Sequence, residues 1–395
     1  MKRLLILGAP IFQIPVVETA KKMGLYVGIV DINREAPAFQ YADATYVCSI
    51  RDKDAVLAIA RDFKPDGIVC GACDTSVLTA AFVCKSLNLP GNDEITAINS
   101  TDKVEMLKAF EKNSVAHPEF MIIRKNEANI DYSNIKYPVI VKPTDSAGGR
   151  GINLVENKDE FIDKVKDSSS AGISGDVLVE EYLDGSEVSV EVLVVDGNPY
   201  ILQITDKITS GAPYFYEVGH VQPSELPKDT KNKISDLARN AVIAVGIKSG
   251  AAHVEIKITS QGPKMIELGA RMGGDCITTH LINNSIEGIN MTEAVIKLAL
   301  GEKVDITNYG NSGKSVAIKF MPASSGKIKS IDGVDNAKKV EGVIHVEIIA
   351  KIGQEYSSAK DDTARFAYII ACGNSKKNSL EICDKAISNI KIEKE

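Results

Sequence analysis

The sequence predicts an α/β protein of several domains, opening on a parallel sheet. Residues 1–100 alternate short apolar runs with helical stretches, which is the pattern of parallel βαβ units in an open sheet. Further along, a glycine-rich loop separates two apolar strands, and two acidic residues face each other across a hairpin. The expected organisation is an N-terminal open parallel α/β sheet domain (residues 1–100), a central α/β domain (101–302) and a small C-terminal α+β domain (303–395). With 395 residues, 44% of them apolar and 25% charged, the chain can bury a core in each.

In the N-terminal region the apolar runs at 4–7, 27–30 and 67–69 read as strands, and the stretches near 15–23, 52–63 and 76–87 as helices. The first strand and helix look like half of a dinucleotide fold. However, Gly8-Ala9-Pro10-Ile11-Phe12-Gln13 is not G-x-G-x-x-G, so Asp31, placed where a ribose-binding acid would fall, is a weak signal. Lys2-Arg3 and the apolar run after it imitate a secretion signal. Pro10 and Pro15 interrupt that run and Glu18, Lys21 and Lys22 follow it, so a first strand is expected instead.

A formal net charge of -7 provides no electrostatic footprint for nucleic acid or an anionic membrane, and no apolar run approaches the length of a membrane span. Small-molecule chemistry is favoured. Seven cysteines, an odd number without a framework, suit a reducing cytoplasm. Cys70 and Cys73 have the spacing of a redox or zinc pair, but no second ligand pair follows, and they read as small core residues.

In the central region a strand over 137–141 ends in Lys142-Pro143. After it, residues 144–151 carry Gly148, Gly149 and Gly151 ahead of a strand at 152–155. Such a loop lets backbone N–H groups close over a phosphate, although it is not a Walker A loop and a glycine hairpin is often only a turn. Lys142, at the end of Val139-Ile140-Val141, must reach solvent or find an anion, and a phosphate would sit beside it. The strand at 177–183 leaves Glu180 and Glu181 beside an apolar slot, and Glu187 follows. This segment could offer backbone groups to an adenine edge and a carboxylate to ribose hydroxyls; the plainer reading is a hairpin with a solvated face.

The densest signal lies at 251–275. Val254, Ile256 and Ile258 alternate with His253, Glu255 and Lys257, and Glu267 sits on the next run, with Ser260-Gln261-Gly262-Pro263 between them as a turn. A hairpin centred on Gln261 makes Glu255 and Glu267 cross-strand partners, their Cβ atoms roughly 5 Å apart. A bound Mg²⁺ or Mn²⁺ would convert that repulsion into a ligand set; the alternative is two unrelated surface glutamates. The region from 303 has strands at 315–320, 343–349 and 366–371 and a closing helix near 379–390. It is expected to close the site, with Arg365 as its contributor.

The order Lys103, Lys142 before the glycine loop, Glu180-Glu181-Tyr182-Leu183 with Glu187, then Glu255 and Glu267-x-x-x-Arg271 resembles the ATP-grasp superfamily of ligases over nearly the whole chain. The resemblance makes 101–302 an ATP-grasp domain, with a nucleotide lid subdomain at about 115–182. It implies that Lys103 and Lys142 contact ATP phosphates and that Ser146, Gly148 and Gly149 belong to a loop folding over them. Glu180 would accept from the adenine amine, Glu181 and Leu183 would offer backbone groups, and Glu187 would hold the ribose. Glu255 and Glu267 would bind Mg²⁺ (or Mn²⁺), and Arg271 would act with Lys142 in catalysis, steadying the charged intermediate or a substrate carboxylate. The implied reaction phosphorylates a carboxylate, plausibly that of an amino acid, and joins it to an amine with release of ADP and phosphate.

Many superfamily members place asparagine two residues after the second metal glutamate. Here that position is Gly269, which has no side chain to supply the second metal contact. Arg271-Met272-Gly273-Gly274-Asp275 resembles the L-amino acid ligase and related carboxylate–amine ligase branch, with looser similarity to phosphoribosylglycinamide synthetase and biotin carboxylase. The alternatives are a purine-pathway ligase of the phosphoribosylglycinamide synthetase kind and a non-catalytic ATP-binding regulatory protein. The partners implied are ATP and small carboxylate and amine substrates, and homodimers are common in the superfamily. His220 and His253 read as structural more readily than functional, and Tyr214 and Phe215 could line a side-chain pocket.

Overall fold

A computed structural model describes the chain except residues 126, 128–131, 146–149, 212, 213 and 215. The first sheet is four-stranded and parallel, built from β1 (Arg3–Leu7), β2 (Tyr26–Asp31), β3 (Ala44–Val47) and β4 (Gly67–Cys70) in the order β3-β2-β1-β4. Leu4 to Leu7 are fully buried, because β1 lies between β2 and β4 with helices on both faces. Among those helices, α1 (Ile14–Lys22) starts with a proline in its first turn, and α2 (Lys53–Phe63) is capped by Asp52, whose side chain accepts from Ala55 N. A third, α3 (Val77–Leu87), follows β4. The chain winds outward from β1 to β3 and then returns to β4, so the loops after β1 and β4 meet at the switch point of the sheet, where open α/β sheets bind ligands.

Two elements there escape the sequence pattern. The strand β3 has only half-buried and exposed residues at the sheet edge, and the short helix α4 (Glu94–Asn99) is capped by Asp93.

The helix α5 (Lys103–Lys112) begins the central region, with Asp102 accepting from Val104 N and Glu105 N, which places Lys103 in its first turn. A small antiparallel sheet follows, of β5 (Phe120–Ile123), β6 (Val139–Pro143), β7 (Asn153–Val155) and β8 (Val177–Glu181), ordered β5-β8-β6-β7. Val139, Val141 and Val179 pack with Phe161 and Val165 of α6 (Lys158–Ala171). Period-two alternation turns Ile140, Lys142 and Glu180 the other way.

That opposite face looks onto an eight-stranded antiparallel sheet. It comprises β9 (Ser186–Val195), β10 (Asn198–Thr209), β11 (Glu217–Gln222), β12 (Gly250–Thr259) and β13 (Gly262–Gly269), with the strands Ser315–Pro322, Val343–Ile348 and Arg365–Gly373. The order is β13-β12-β9-β10-β11, then Ser315–Pro322, Arg365–Gly373 and Val343–Ile348. The sheet therefore runs without a break from residues before 303 into residues after it. Val188, Val190, Val192, Val254 and Ile256 bury one face against Ile234, Ala241 and Val242 of α7 (Lys228–Val245). The other face carries the charged residues. Among the described residues no helix is long and apolar enough to cross a membrane.

Candidate active site

Glu255 and Glu267 pair directly across β12 and β13, as the alternation predicts, but by a different route. The hairpin closes at Thr259 and Gly262 around Ser260-Gln261, so Gly262 and Pro263 belong to β13 and not to the turn. That tighter turn alone would move Glu267 out of register. A bulge between Glu255 and Ile256, with Ile266 as the extra residue, restores it.

Every basic residue expected at the site is held by an acid. Lys103 Nζ lies 2.9 Å from Glu267 Oε1, and Lys142 Nζ lies 2.6 Å from Glu180 Oε2 with both side chains buried. Burial alone would lower the Lys103 ammonium, but Glu267 beside it raises it above its ordinary range. Glu181 meets Lys264 at 2.8 Å, and although burial would raise its carboxyl, that contact lowers it. Glu187 accepts from Lys207 at 2.5 Å and lies 3.5 Å from Lys257.

A cleft of about 280 Å³ opens between the two sheets. Ile140, Ile152, Leu183, Met265 and Ile266 form its apolar walls, and Lys142, Glu180 and Glu187 its polar rim. Glu180 Oε1 is buried there without a hydrogen-bond partner among the described residues, an acceptor suited to an amino group entering the slot. The chemistry of the pair Glu255 and Glu267, two carboxylates on adjacent strands, fits a hard divalent cation. Ser146, Gly148, Gly149 and Phe215 lie outside the described residues, and Tyr214 is exposed.

The site also contains residues that the sequence reading did not single out. Lys207, on β10, reaches Glu187, Glu217 and Glu255 at 2.5, 2.8 and 3.0 Å. Burial would lower this ammonium, but Glu217 and Glu255 hold it well above its usual range, and Lys207 in turn holds the Glu217 and Glu255 carboxyls low against the effect of burial. A lysine within the apolar run of Ile201, Leu202, Ile204 and Ile208 was a legible signal, by the same reasoning that picked out Lys142. Asp74, just past β4, grips Arg271 with its two carboxylate oxygens. The approach is close enough that a Cβ at Gly269 would lie 2.9 Å from Asp74 Oδ1 and 3.0 Å from Arg271 Cγ, which gives Gly269 a packing reason.

Both histidines are ionised members of the site. His253 Nδ1 lies 2.5 Å from Glu191 and its Nε2 3.4 Å from Glu255; despite burial these acids raise it to about 9. His220 Nε2 lies 3.2 Å from Glu217 and 3.3 Å from Asp275, and is raised against burial to about 9 as well. Arg365, the residue of the C-terminal region expected to contribute, bonds Asp275 at 2.7 and 3.0 Å and stacks 3.6 Å over the Phe320 ring. Asp362 accepts from Glu217 N at 2.6 Å, and burial together with the Glu217 charge pushes it up to about 6.

Residues 135–279 match the family model of the ATP-grasp domain, and residues 319–395 match L-amino acid ligase C-terminal domain 2. The chain carries an ATP-grasp domain. The hairpin acids and the cleft therefore lie in an ATP-grasp frame, for which ATP and Mg²⁺ are the standard cofactors. Alanine–anticapsin ligase of Bacillus subtilis (strain 168) is 25% identical over 280 residues, 64% of this chain and 58% of that protein, so the chain spans about three-fifths of that relative's length. The L-amino acid ligase from Bacillus licheniformis shares the fold over 100% of this chain and 99% of its own at a TM-score of 0.87, with 23% identity. Phosphoribosylglycinamide synthetase from Anaerococcus prevotii matches over 100% of both chains at a TM-score of 0.82, with 25% identity.

Proposed function

We propose that the protein is an ADP-forming ligase that activates the carboxylate of an amino acid as an acyl phosphate and joins it to an amine. The observation that carries this reading is the Glu255–Glu267 pair, set at the cleft between Lys103 and Lys207 and next to Arg271. In this reading residues 1–100 supply Asp74 to the site, residues 101–302 hold nucleotide with a lid at about 115–182, and residues 303–395 supply Arg365.

The nucleotide would lie with its adenine in the slot of Ile140 and Met265, its amino group on Glu180 Oε1, backbone groups of Glu181 and Leu183 at its edge, and its ribose on Glu187. Lys103, Lys142 and the loop at 146–151, with Ser146, Gly148 and Gly149, would take the phosphates. Glu255 and Glu267 would hold Mg²⁺, which neutralises charge on the transferring phosphoryl group. A substrate carboxylate oxygen attacks the γ-phosphorus and the bond to ADP breaks. The amine nitrogen then attacks the acyl carbon, phosphate departs with the carboxylate oxygen, and the amine releases a proton. Arg271 would hold the acyl phosphate with its planar fork. The mixed cluster of Glu217, His220, Asp275 and Arg365 offers both signs of charge, which suits the ammonium and carboxylate of an amino acid.

The test is ADP and phosphate release from ATP and Mg²⁺ over amino acids given singly and in pairs. Release that depends on an amino-acid pair is expected, and silence with ATP binding intact would contradict catalysis of this kind. The match to phosphoribosylglycinamide synthetase supports a second reading, a purine-pathway ligase. Release only with phosphoribosylamine plus glycine would favour it.

A further inference from the structure

We infer that Lys207 is a built-in counter-cation that occupies the metal carboxylate Glu255 until nucleotide arrives, so that divalent-metal binding by this protein is conditional on nucleotide. The inference rests on the nucleotide and metal reading proposed above. Lys207 stands on β10, and the acids it holds come from three other strands: Glu187 on β9, Glu217 on β11 and Glu255 on β12. Of the three donors of the ammonium, two are spent on Glu187 and Glu255, and Glu217 stands 2.8 Å away as an ion pair. The lysine side chain is 7% exposed, so water does not compete for them.

A divalent cation approaching Glu255 would therefore meet an ammonium already 3.0 Å from the ligating oxygen, and at Glu267 it would meet Lys103 at 2.9 Å. Two buried like charges oppose it. The phosphates of a nucleotide change this balance, because they offer both lysines another anion. Lys207 is the member of the cluster that can leave. Glu187 would keep Lys257 at 3.5 Å, Glu217 would keep His220 at 3.2 Å, and Glu255 would keep His253 at 3.4 Å. None of the three acids is left without a cation, so breaking three contacts at Lys207 strands no buried charge.

The experiment is equilibrium dialysis of the purified full chain against Mn²⁺, with and without ATP in both compartments, in which the excess metal on the protein side is the protein-bound Mn²⁺ and chelation by ATP alone cancels. Wild-type protein is expected to take up Mn²⁺ with ATP and none without it at the same concentrations. Lys207→Met is expected to take up about one Mn²⁺ per chain without nucleotide, an affinity gain of at least tenfold, and Lys207→Gln, which keeps hydrogen-bond donors, should gain in the same direction. Mn²⁺ uptake by nucleotide-free wild type, or a folded Lys207→Met or Lys207→Gln protein that gains none, would overturn the inference. Should neither variant fold, the nucleotide-free wild-type titration decides alone. Failure of wild type to take up Mn²⁺ even with ATP would instead refute the underlying site reading.

Discussion

Asp74 holds Arg271 across the boundary between the N-terminal sheet and the metal hairpin, with Oδ1 accepting from Nε at 2.6 Å and Oδ2 from Nη2 at 3.0 Å. The pair joins the switch point of the first sheet to the end of β13. Arg271 Nη1 donates to Met272 O, so three of the five guanidinium N–H groups are committed to this positioning and two remain for a substrate. Burial opposes ionisation of both partners, yet each holds the other charged: the Asp74 carboxyl lies below its usual range and the Arg271 guanidinium above its own.

Asp74→Asn keeps the shape and removes the charge, and should cost about 1.5–3 kcal/mol of stability, the worth of hydrogen bonds to a charged group. If Arg271 binds the carboxylate substrate, KM for that substrate rises while KM for ATP is little changed. Gly269→Asn should act like Asp74→Asn, since its side chain would push Asp74 away. Thermal melts and the two KM values check both.

Glu267→Gln retains the volume of the side chain but removes one of the two carboxylates proposed to hold the metal. Phosphate release should fall by about 100-fold or more, the scale of losing a preorganised charge at a transferring group. ATP binding, which in the proposed reading rests on Lys142, Glu180 and the cleft walls, should stay within severalfold, as binding calorimetry would show.

His220 and His253 predict a pH dependence of stability. Both are raised from 6.5 to about 9, so the folded state binds their protons more tightly than the unfolded chain. Their stabilisation is complete below pH 6.5 and is lost as pH rises through about 9. Asp362, raised to about 6, titrates largely below this window. The melting temperature should therefore fall between pH 6.5 and 9, and His253→Gln should flatten part of that slope.

Gly185 borders the cleft with φ +106°, and a Cβ there would lie 2.0 Å from the Ile258 carbonyl oxygen. Gly185→Ala should move the segment that links Glu181 to Glu187, at a cost of about 1–3 kcal/mol for forced overpacking. A melt and an ATP titration read the loss of stability and the weaker nucleotide binding together.

The sequence made the α/β alternation, the glycine loop and the acid pair legible because each is local. Val254, Ile256 and Ile258 alternate with Glu255 whatever the tertiary structure does. The bulge at Ile266 was not legible: it corrects a tighter turn, and the expected pairing emerged from a different arrangement of the hairpin. Asp74 escaped notice because its partner lies 197 positions away, and the unbroken eight-stranded sheet because strands after residue 315 add to strands before 269. His220 and His253 have no sequence mark beyond a nearby acid; the charges of Glu217 and Glu191, which outweigh the effect of burial, are what keep them protonated.

The most direct measurement follows an oxygen atom. With a substrate amino acid carrying ¹⁸O in its carboxylate, ATP and the acceptor amine, an acyl phosphate requires one labelled oxygen to pass into the released phosphate. Phosphate bearing one ¹⁸O per turnover is the predicted result, and it should disappear with Glu267→Gln. Unlabelled phosphate at an undiminished rate of ATP cleavage would contradict carboxylate activation at this site.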